Sequence, residues 1–226
     1  MNHTITRDTP PANRQETANM ANGVHYHPEQ IKHTKQKGTM LRDLLTLLHD
    51  LVYFLAGSVL VFVFFVRVIT VDGESMLPTL QNNDRLVLLS NLWYSSPERG
   101  DVVVARIPEF SSEPIVKRVI AVEGDVIDID FVSGIVSVNG EQLQENYIRE
   151  LTLRHFGSEG VSFPLEIQQG HVFLMGDNRN DSYDSRYEPI GQVDCRYILG
   201  KVIFLAIPGA DQETRAVDFG RIGALE

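Results

Sequence analysis

The sequence predicts an all-β domain carrying an inserted β subdomain and preceded by a single transmembrane α-helix. Three observations lead there. One long apolar run, residues 51–66, contains no charged side chain. After Arg67, short apolar runs alternate with turn signals, and no helix-period run of useful length follows. In the second half of the chain, Asn139-Gly140 sits between alternating segments, which is a strong hairpin signal.

The chain has 226 residues and a formal net charge of −10, room for one soluble domain of about 150 residues plus appendages. So acidic a chain lacks the basic face that nucleic acid demands. It suits a domain that stands off anionic lipid except where an apolar surface touches down. The single cysteine, Cys195, rules out an intrachain disulfide and reads as a buried structural thiol. No Cys/His cluster has zinc spacing, so neither metal nor cofactor is expected.

Residues 1–43 read as a disordered cytoplasmic tail. They are rich in Thr, Asn, Gln, Pro and His, and they bury too little apolar surface to offset the entropy of ordering. The basic patch around Lys32, Lys35 and Lys37 is either a solvated linker or a lipid contact. As a helix, residues 51–66 span about 24 Å against a hydrocarbon core of about 30 Å. Leu44, Leu45, Leu47 and Leu48 lengthen the run, which places the membrane helix at 44–67 with His49 and Asp50 at the cytoplasmic interface or facing protein. A buried soluble helix would carry a polar stripe, and 51–66 has almost none. A cleaved secretory signal would be shorter, nearer the N-terminus and followed by a small-x-small site, whereas Arg67-Val68-Ile69 comes next. Lys32, Lys35, Lys37 and Arg42 precede the run and only Arg67 closely follows it, so the N-terminus is expected in the cytoplasm and everything after Arg67 outside.

Strands are expected at 85–89, 101–105, 115–122, 126–130, 135–138, 142–143, 171–175 and 201–205, each bounded by Gly, Pro, Asn or Asp. They form a domain over 68–226, in which 126–170 is an inserted subdomain. Leu92-Trp93-Tyr94 reads either as core or as an aromatic anchor at the membrane interface.

Three stretches carry candidate chemistry. Ser75 lies between Asp72-Gly73 and Pro78, outside any regular element. Lys117 lies in the strand 115–122, where alternation puts Ile115, Lys117, Val119 and Ala121 on one face and Val116, Arg118, Ile120 and Val122 on the other. An apolar row disfavours the ammonium form, and a neutral amine can take a proton from a serine hydroxyl. Arg118 cannot, because its guanidinium stays charged. Taken singly, Lys117 reads more readily as a gatekeeper charge on an edge strand. The third stretch, Gly176 to Arg186, is dense in Asp, Asn and Arg. Asp177, Asp181 and Glu188 fall at calcium-loop positions, but Arg179 occupies a ligand position and Ser182 replaces the required glycine. A polar loop tied by Asp–Arg pairs, holding one hydroxyl against a neighbouring strand, fits better.

Together these stretches resemble bacterial type I signal peptidases, serine endopeptidases of family S26 that use a Ser–Lys dyad. Ser75-Met76-Leu77-Pro78-Thr79 is similar to the nucleophile box and Arg99-Gly100-Asp101-Val102-Val103 to the strand box after it. Lys117-Arg118-Val119-Ile120 with Gly124-Asp125 is similar to the lysine box. The 176–186 loop is close to the fourth, with Asn180-Asp181 in swapped order. The resemblance covers roughly 69–205 and implies cleavage of signal peptides from exported preproteins after small-x-small sites, through an acyl-enzyme. It implies Ser75 as nucleophile, Lys117 as general base and Ser182 as the hydroxyl orienting the lysine. It implies Arg118, Asp177, Asp184 and Arg186 as structural ion pairs, and the Ser75 backbone N–H as an oxyanion donor. Gly73 stands where some members carry a serine that supplies the second donor. Val71, Met76, Leu80, Ile115 and Val116 match the shallow substrate pockets. The implied partners are preprotein signal peptides, the lipid bilayer and nearby secretion machinery, with no nucleic acid; the implied location is the bacterial cell membrane. Two competing readings are a self-cleaving Ser–Lys regulator, opposed by the anchor and the acidic charge, and a catalytically inactive membrane-tethered peptide-binding domain, opposed by the joint presence of Ser75, Lys117 and Ser182.

Overall fold

The structure, a computed structural model, describes residues 28–211 and 214–225, and divides after Gly57 into two compact units. The first described element is the helix α1 (Pro28–Phe65). The tail expected to be disordered through residue 43 lies outside the described residues up to 27, but from Pro28 onward the chain is helical instead. The reason is local. Proline suits the first helical position, Glu29 suits the positive end of the helix dipole, and Gln30, Lys32, Lys35, Gln36 and Lys37 are good helix formers. They extend a helix whose costly nucleus the apolar segment has already supplied. Met40–Val61 is long and apolar enough to cross a membrane, with none of it buried. Its 22 residues make about 33 Å of helix, against a hydrocarbon core of about 30 Å.

The helix was expected to reach residue 67 but stops at Phe65, and Val66 and Arg67 instead open β1 (Val66–Thr70). β-Branched residues concentrate at 68–71, where they favour extended backbone. β1 pairs antiparallel with β2 (Arg85–Ser90), the strand after the nucleophile loop.

β3 (Val102–Ala105) and β4 (Ile115–Val122) follow, and then a smaller sheet intervenes. It comprises β5 (Val126–Asp130), β6 (Ile135–Val138), β7 (Glu141–Gln142) and β8 (Leu165–Glu166), in the order β7-β6-β5-β8. Asn139 and Gly140 take positive φ at the β6–β7 turn, as a tight hairpin requires. The chain then returns as β9 (His171–Met175), β10 (Val193–Asp194), β11 (Ile198–Ile207) and β12 (Gly223–Ala224). The main sheet runs β1-β2-β11-β3-β4-β9-β10, with β12 also pairing β11, and all its pairs are antiparallel. β11 therefore inserts between β2 and β3, and the main sheet is continuous only once the C-terminal third is in place.

Every residue of β3 is buried because both faces are covered. Val102 and Val104 join Val71, Met76, Leu80, Leu86 and Leu88 in one apolar cluster. Val103 and Ala105 join Ile107, Val119, Leu174 and Ile198 in another. The small sheet's Ile127, Ile129, Val136 and Val138 pack on Ile120, Phe173 and Met175 in a third. Strict alternation along β4 fails at its far end. The β4–β9 register shifts between Val119 and Ala121, so Ala121 sits in the cluster with Ile120, and Val122 packs with Ile115 and Val119. A β-bulge of this kind reverses side-chain phase beyond it. Lys117 precedes the bulge and keeps its expected face, opposite Val103 on β3. The Leu92-Trp93-Tyr94 run splits: Leu92 and Trp93 are exposed, while Tyr94 packs against the core and donates its hydroxyl to Asp101.

Candidate active site

The loop 71–84 between β1 and β2 presents Ser75. Met76 and Leu80, both essentially unexposed, plug it into the core from below. Its neck is closed by Val71 N–H to Asp84 O at 2.8 Å and Asn83 N–H to Val71 O at 2.9 Å. Gly73 has φ +94°, a conformation that favours glycine, and its N–H is donated to Asn82 Oδ1 at 3.0 Å. Leu80, expected to line the substrate pocket, is instead a core residue, because the turn from Met76 to Leu80 directs both side chains inward.

Lys117 is 4% exposed, and its Nζ lies 2.6 Å from Ser75 Oγ and 3.0 Å from Val116 O. β9 ends at Met175, opposite Arg118, so Lys117 has no ladder partner on that side. The loop 176–186 passes there instead, and Asn178 stitches it to the nucleophile loop: its N–H donates to Ser75 O at 3.0 Å and its Nδ2 to Glu74 O at 3.2 Å. Burial pushes the Lys117 amine down to about 8; Asp184 and Asp177 pull it back up, and Arg186 opposes them.

Two buried ion pairs brace this arrangement. Arg118 grips Asp177 with two hydrogen bonds of 2.9 and 2.8 Å, and Thr79 of the nucleophile loop donates to the same carboxylate at 2.6 Å. Arg186 grips Asp184 at 2.8 Å through both Nε and Nη2. Burial alone would raise the Asp184 pKa, but Arg186 and the Gly176 N–H outweigh it and hold the carboxyl below its ordinary value. A Cβ on Gly176 would collide with Ser182 Oγ and with the Ser75 carbonyl oxygen, so close approach requires glycine there.

Ser182 was expected to hold the lysine amine. Among the described residues its Oγ is buried without a hydrogen-bond partner, and the amine's second bond goes to the Val116 carbonyl. Ser182 lies close enough to Asp184 to favour its ionised form, without closing a bond of normal geometry.

A groove of about 620 Å³ opens over the Ser75–Lys117 pair. Val71, Met76, Ile115 and Val116 line it, together with Phe110 and Tyr183. Those two rings face each other with centroids 6.3 Å apart, and no motif announced them. The sequence also concealed Arg179. It is fully buried, donates to Thr152 Oγ1 at 2.9 Å and pairs with Glu145 from the segment after β7, so it joins the site loop to the small sheet's connections. An arginine inside an Asp-rich loop signals a partner, but only the fold names Glu145.

Comparison with known proteins bears on this geometry. The profile of the signal peptidase, peptidase S26 family matches residues 44–207. The chain belongs to that family. Signal peptidase I of Leptolyngbya laminosa is 34% identical over 59% of this chain, which covers 64% of the relative's length. The probable signal peptidase I-2 of a Synechocystis strain is 35% identical over 66% of the chain and 69% of its own length. Signal peptidase I P of Bacillus subtilis subsp. natto is 36% identical over 56% and 72%. A crystal structure of a signal peptidase I from Enterococcus faecalis V583 aligns with TM-score 0.39 at 25% identity, over 47% of this chain and 97% of that one. The S26 match begins at residue 44, inside α1, and ends at the last residue of β11. It therefore takes in both loops of the site.

Proposed function

We propose that this S26 peptidase is a membrane-bound serine endopeptidase that removes N-terminal signal peptides from exported preproteins, with Ser75 as nucleophile and Lys117 as general base. The observation that carries the reading is the 2.6 Å approach of a buried lysine amine to a serine hydroxyl at the floor of a groove. An amine held near 8 by burial is about one-tenth neutral at pH 7 and about half neutral at pH 8.

The chemistry follows. As Ser75 Oγ attacks the scissile carbonyl carbon, its proton passes to the neutral Lys117 Nζ. The carbonyl oxygen becomes an oxyanion facing the Ser75 N–H, which has no intramolecular acceptor among the described residues. The Gly73 N–H is already used by Asn82. Collapse breaks the C–N bond, and the Lys117 ammonium gives its proton to the departing amine, leaving an acyl ester on Ser75. Lys117, neutral again, takes a proton from the water that attacks the ester, then returns it to Ser75 Oγ as the signal peptide leaves. Val71, Met76, Ile115 and Val116 offer shallow apolar seats for small residues before the cut. Asp177 and Asp184, neutralised by Arg118 and Arg186, fix the loops around the lysine.

The proposed organisation is a membrane helix followed by a catalytic portion over 68–226, with 126–170 inserted. The N-terminus lies in the cytoplasm and the catalytic part outside, in line with the basic residues before the apolar run. Preprotein signal peptides, the bilayer and nearby secretion machinery are the proposed partners. The test is cleavage of a preprotein in reconstituted membranes. Wild type releases the mature chain, and Ser75→Ala and Lys117→Ala do not. Equal cleavage by all three removes both residues from the chemistry.

A further inference from the structure

Glu74, immediately before the nucleophile, lines two cavities. One is the groove over the dyad. The other, about 390 Å³, lies on the far side of the nucleophile loop, where Leu77, Pro78, Gln81, Asn82 and Arg149 complete most of its wall. The two depressions thus share Glu74 as a wall, one residue before the nucleophile. If the residues before the cut occupy the first depression, a chain that runs past Glu74 after the cut enters the second. In extended form it advances about 3.3 Å per residue, so its second and third residues come down into the second depression.

The wall of that depression is built rather than incidental. Arg149 lies in the segment between β7 and β8, and that segment is fastened to the site at several points, three of them close to Arg149 in the chain. Glu145 pairs with the buried Arg179. The Tyr147 ring lies 4.0 Å from the Arg118 guanidinium. Glu150 accepts from Asn180 Nδ2 at 3.1 Å. Arg149 itself makes no ion pair or hydrogen bond among the described residues, although it is bracketed by residues that do. Asp211, which also borders the cavity, accepts from Thr214 N–H at 2.7 Å and Thr214 Oγ1 at 2.9 Å.

Resting on the peptidase reading above, the geometry points to this second cavity as the seat for the substrate's mature side, with Arg149 setting charge preference at the second and third residues after the cut. Its ligand is an extended polypeptide segment, and an acidic or polar side chain there meets the guanidinium.

The test uses the full-length protein in detergent micelles and a set of fluorogenic peptides. All share one sequence before the cut; they carry Asp, Asn or Lys at the second or third residue after it. The readout is the ratio of kcat/KM for Asp over Lys, compared across wild type, Arg149→Lys, Arg149→Gln and Arg149→Glu. An exposed pair of this kind changes the ratio by about threefold to fivefold. The ratio is therefore expected to fall by that factor in Arg149→Gln, to fall by about tenfold or more in Arg149→Glu, and to be largely kept in Arg149→Lys. The differences shrink as salt is raised. Charge changes placed before the cut should not respond to Arg149. A ratio unchanged across the four proteins overturns the inference and leaves the peptidase reading standing. Failure of wild type to cut any peptide or preprotein overturns both.

Discussion

The sharpest consequence of the site is a pH profile set by one amine. Lys117 is drawn down from 10.5 to about 8, chiefly because burial disfavours its charged form. That shift corresponds to about 3 kcal/mol in favour of the neutral amine. At pH 8 an amine titrating there is about half neutral, whereas one titrating at 10.5 would be neutral about 0.3% of the time. The kcat/KM for a fluorogenic signal-peptide substrate should therefore rise tenfold per pH unit at low pH, bend near pH 8 and level off above it. Its value at pH 6 should lie about 100-fold below the plateau. The same shift predicts a stability effect of definite sign. Because the folded pKa lies below the unfolded one, the native state binds fewer protons between about 8 and 10.5, so this group's contribution to stability rises with pH across that window. Below pH 8 the full penalty remains. Lys117→Met, which removes the amine and keeps the bulk, should accordingly raise stability by about 2 kcal/mol at pH 7 while abolishing cleavage, and the gain should fade above pH 10. Steady-state kinetics from pH 5.5 to 10.5 and thermal melts of both proteins measure the two effects. A kinetic limb centred near 10.5, or a Lys117→Met protein less stable than wild type at pH 7, refutes the idea that dry surroundings hold this lysine neutral.

Four further outcomes follow from the packing and its charges. Gly176→Ala forces a methyl group onto the Ser75 carbonyl and Ser182; it should cost about 1–3 kcal/mol in urea melts and reduce kcat more than KM, because it displaces the nucleophile. Asp184→Ala leaves the Arg186 guanidinium buried and unpaired, so a loss of about 3–5 kcal/mol is expected by denaturant titration, and a loss under 1 kcal/mol would show that water reaches the pair. Because the Asp184 pKa is lowered below 3.8, its stabilising contribution is complete above that pH and disappears as pH falls through the folded value. Wild-type melting temperatures should drop through that acid range, and in Asp184→Asn this part of the drop should be missing. Glu145→Ala strands the buried Arg179 in the same way; hydrogen exchange should then report loosening of the segment 145–152 and of the loop 176–186 together.

Much of this protein is legible in its linear order. The uncharged apolar run, the turn signals around each strand, Asn139-Gly140 and the three polar stretches depend on neighbours within a few residues, so the helix, most strands and the Ser75 and Lys117 candidates can be read directly. Local rules also misled at the ends of elements. Residues 28–43 are helical because a neighbouring nucleus extends into them, and Val66 and Arg67 leave the helix because β2 offers them a ladder. Only the tertiary structure decided what depends on partners remote in sequence. Leu80 belongs to the core because β2, β3 and β11 converge beneath the nucleophile loop. The β4 bulge, visible only in register with β9, reverses the face of Ala121. Arg179 finds Glu145, Asp177 collects both Arg118 and Thr79, and the lysine amine settles on the Val116 carbonyl rather than on Ser182. The physical reason is common to all of these. Periodicity and turn chemistry are local energies written residue by residue, whereas burial and charge pairing exist only once the chain has closed upon itself.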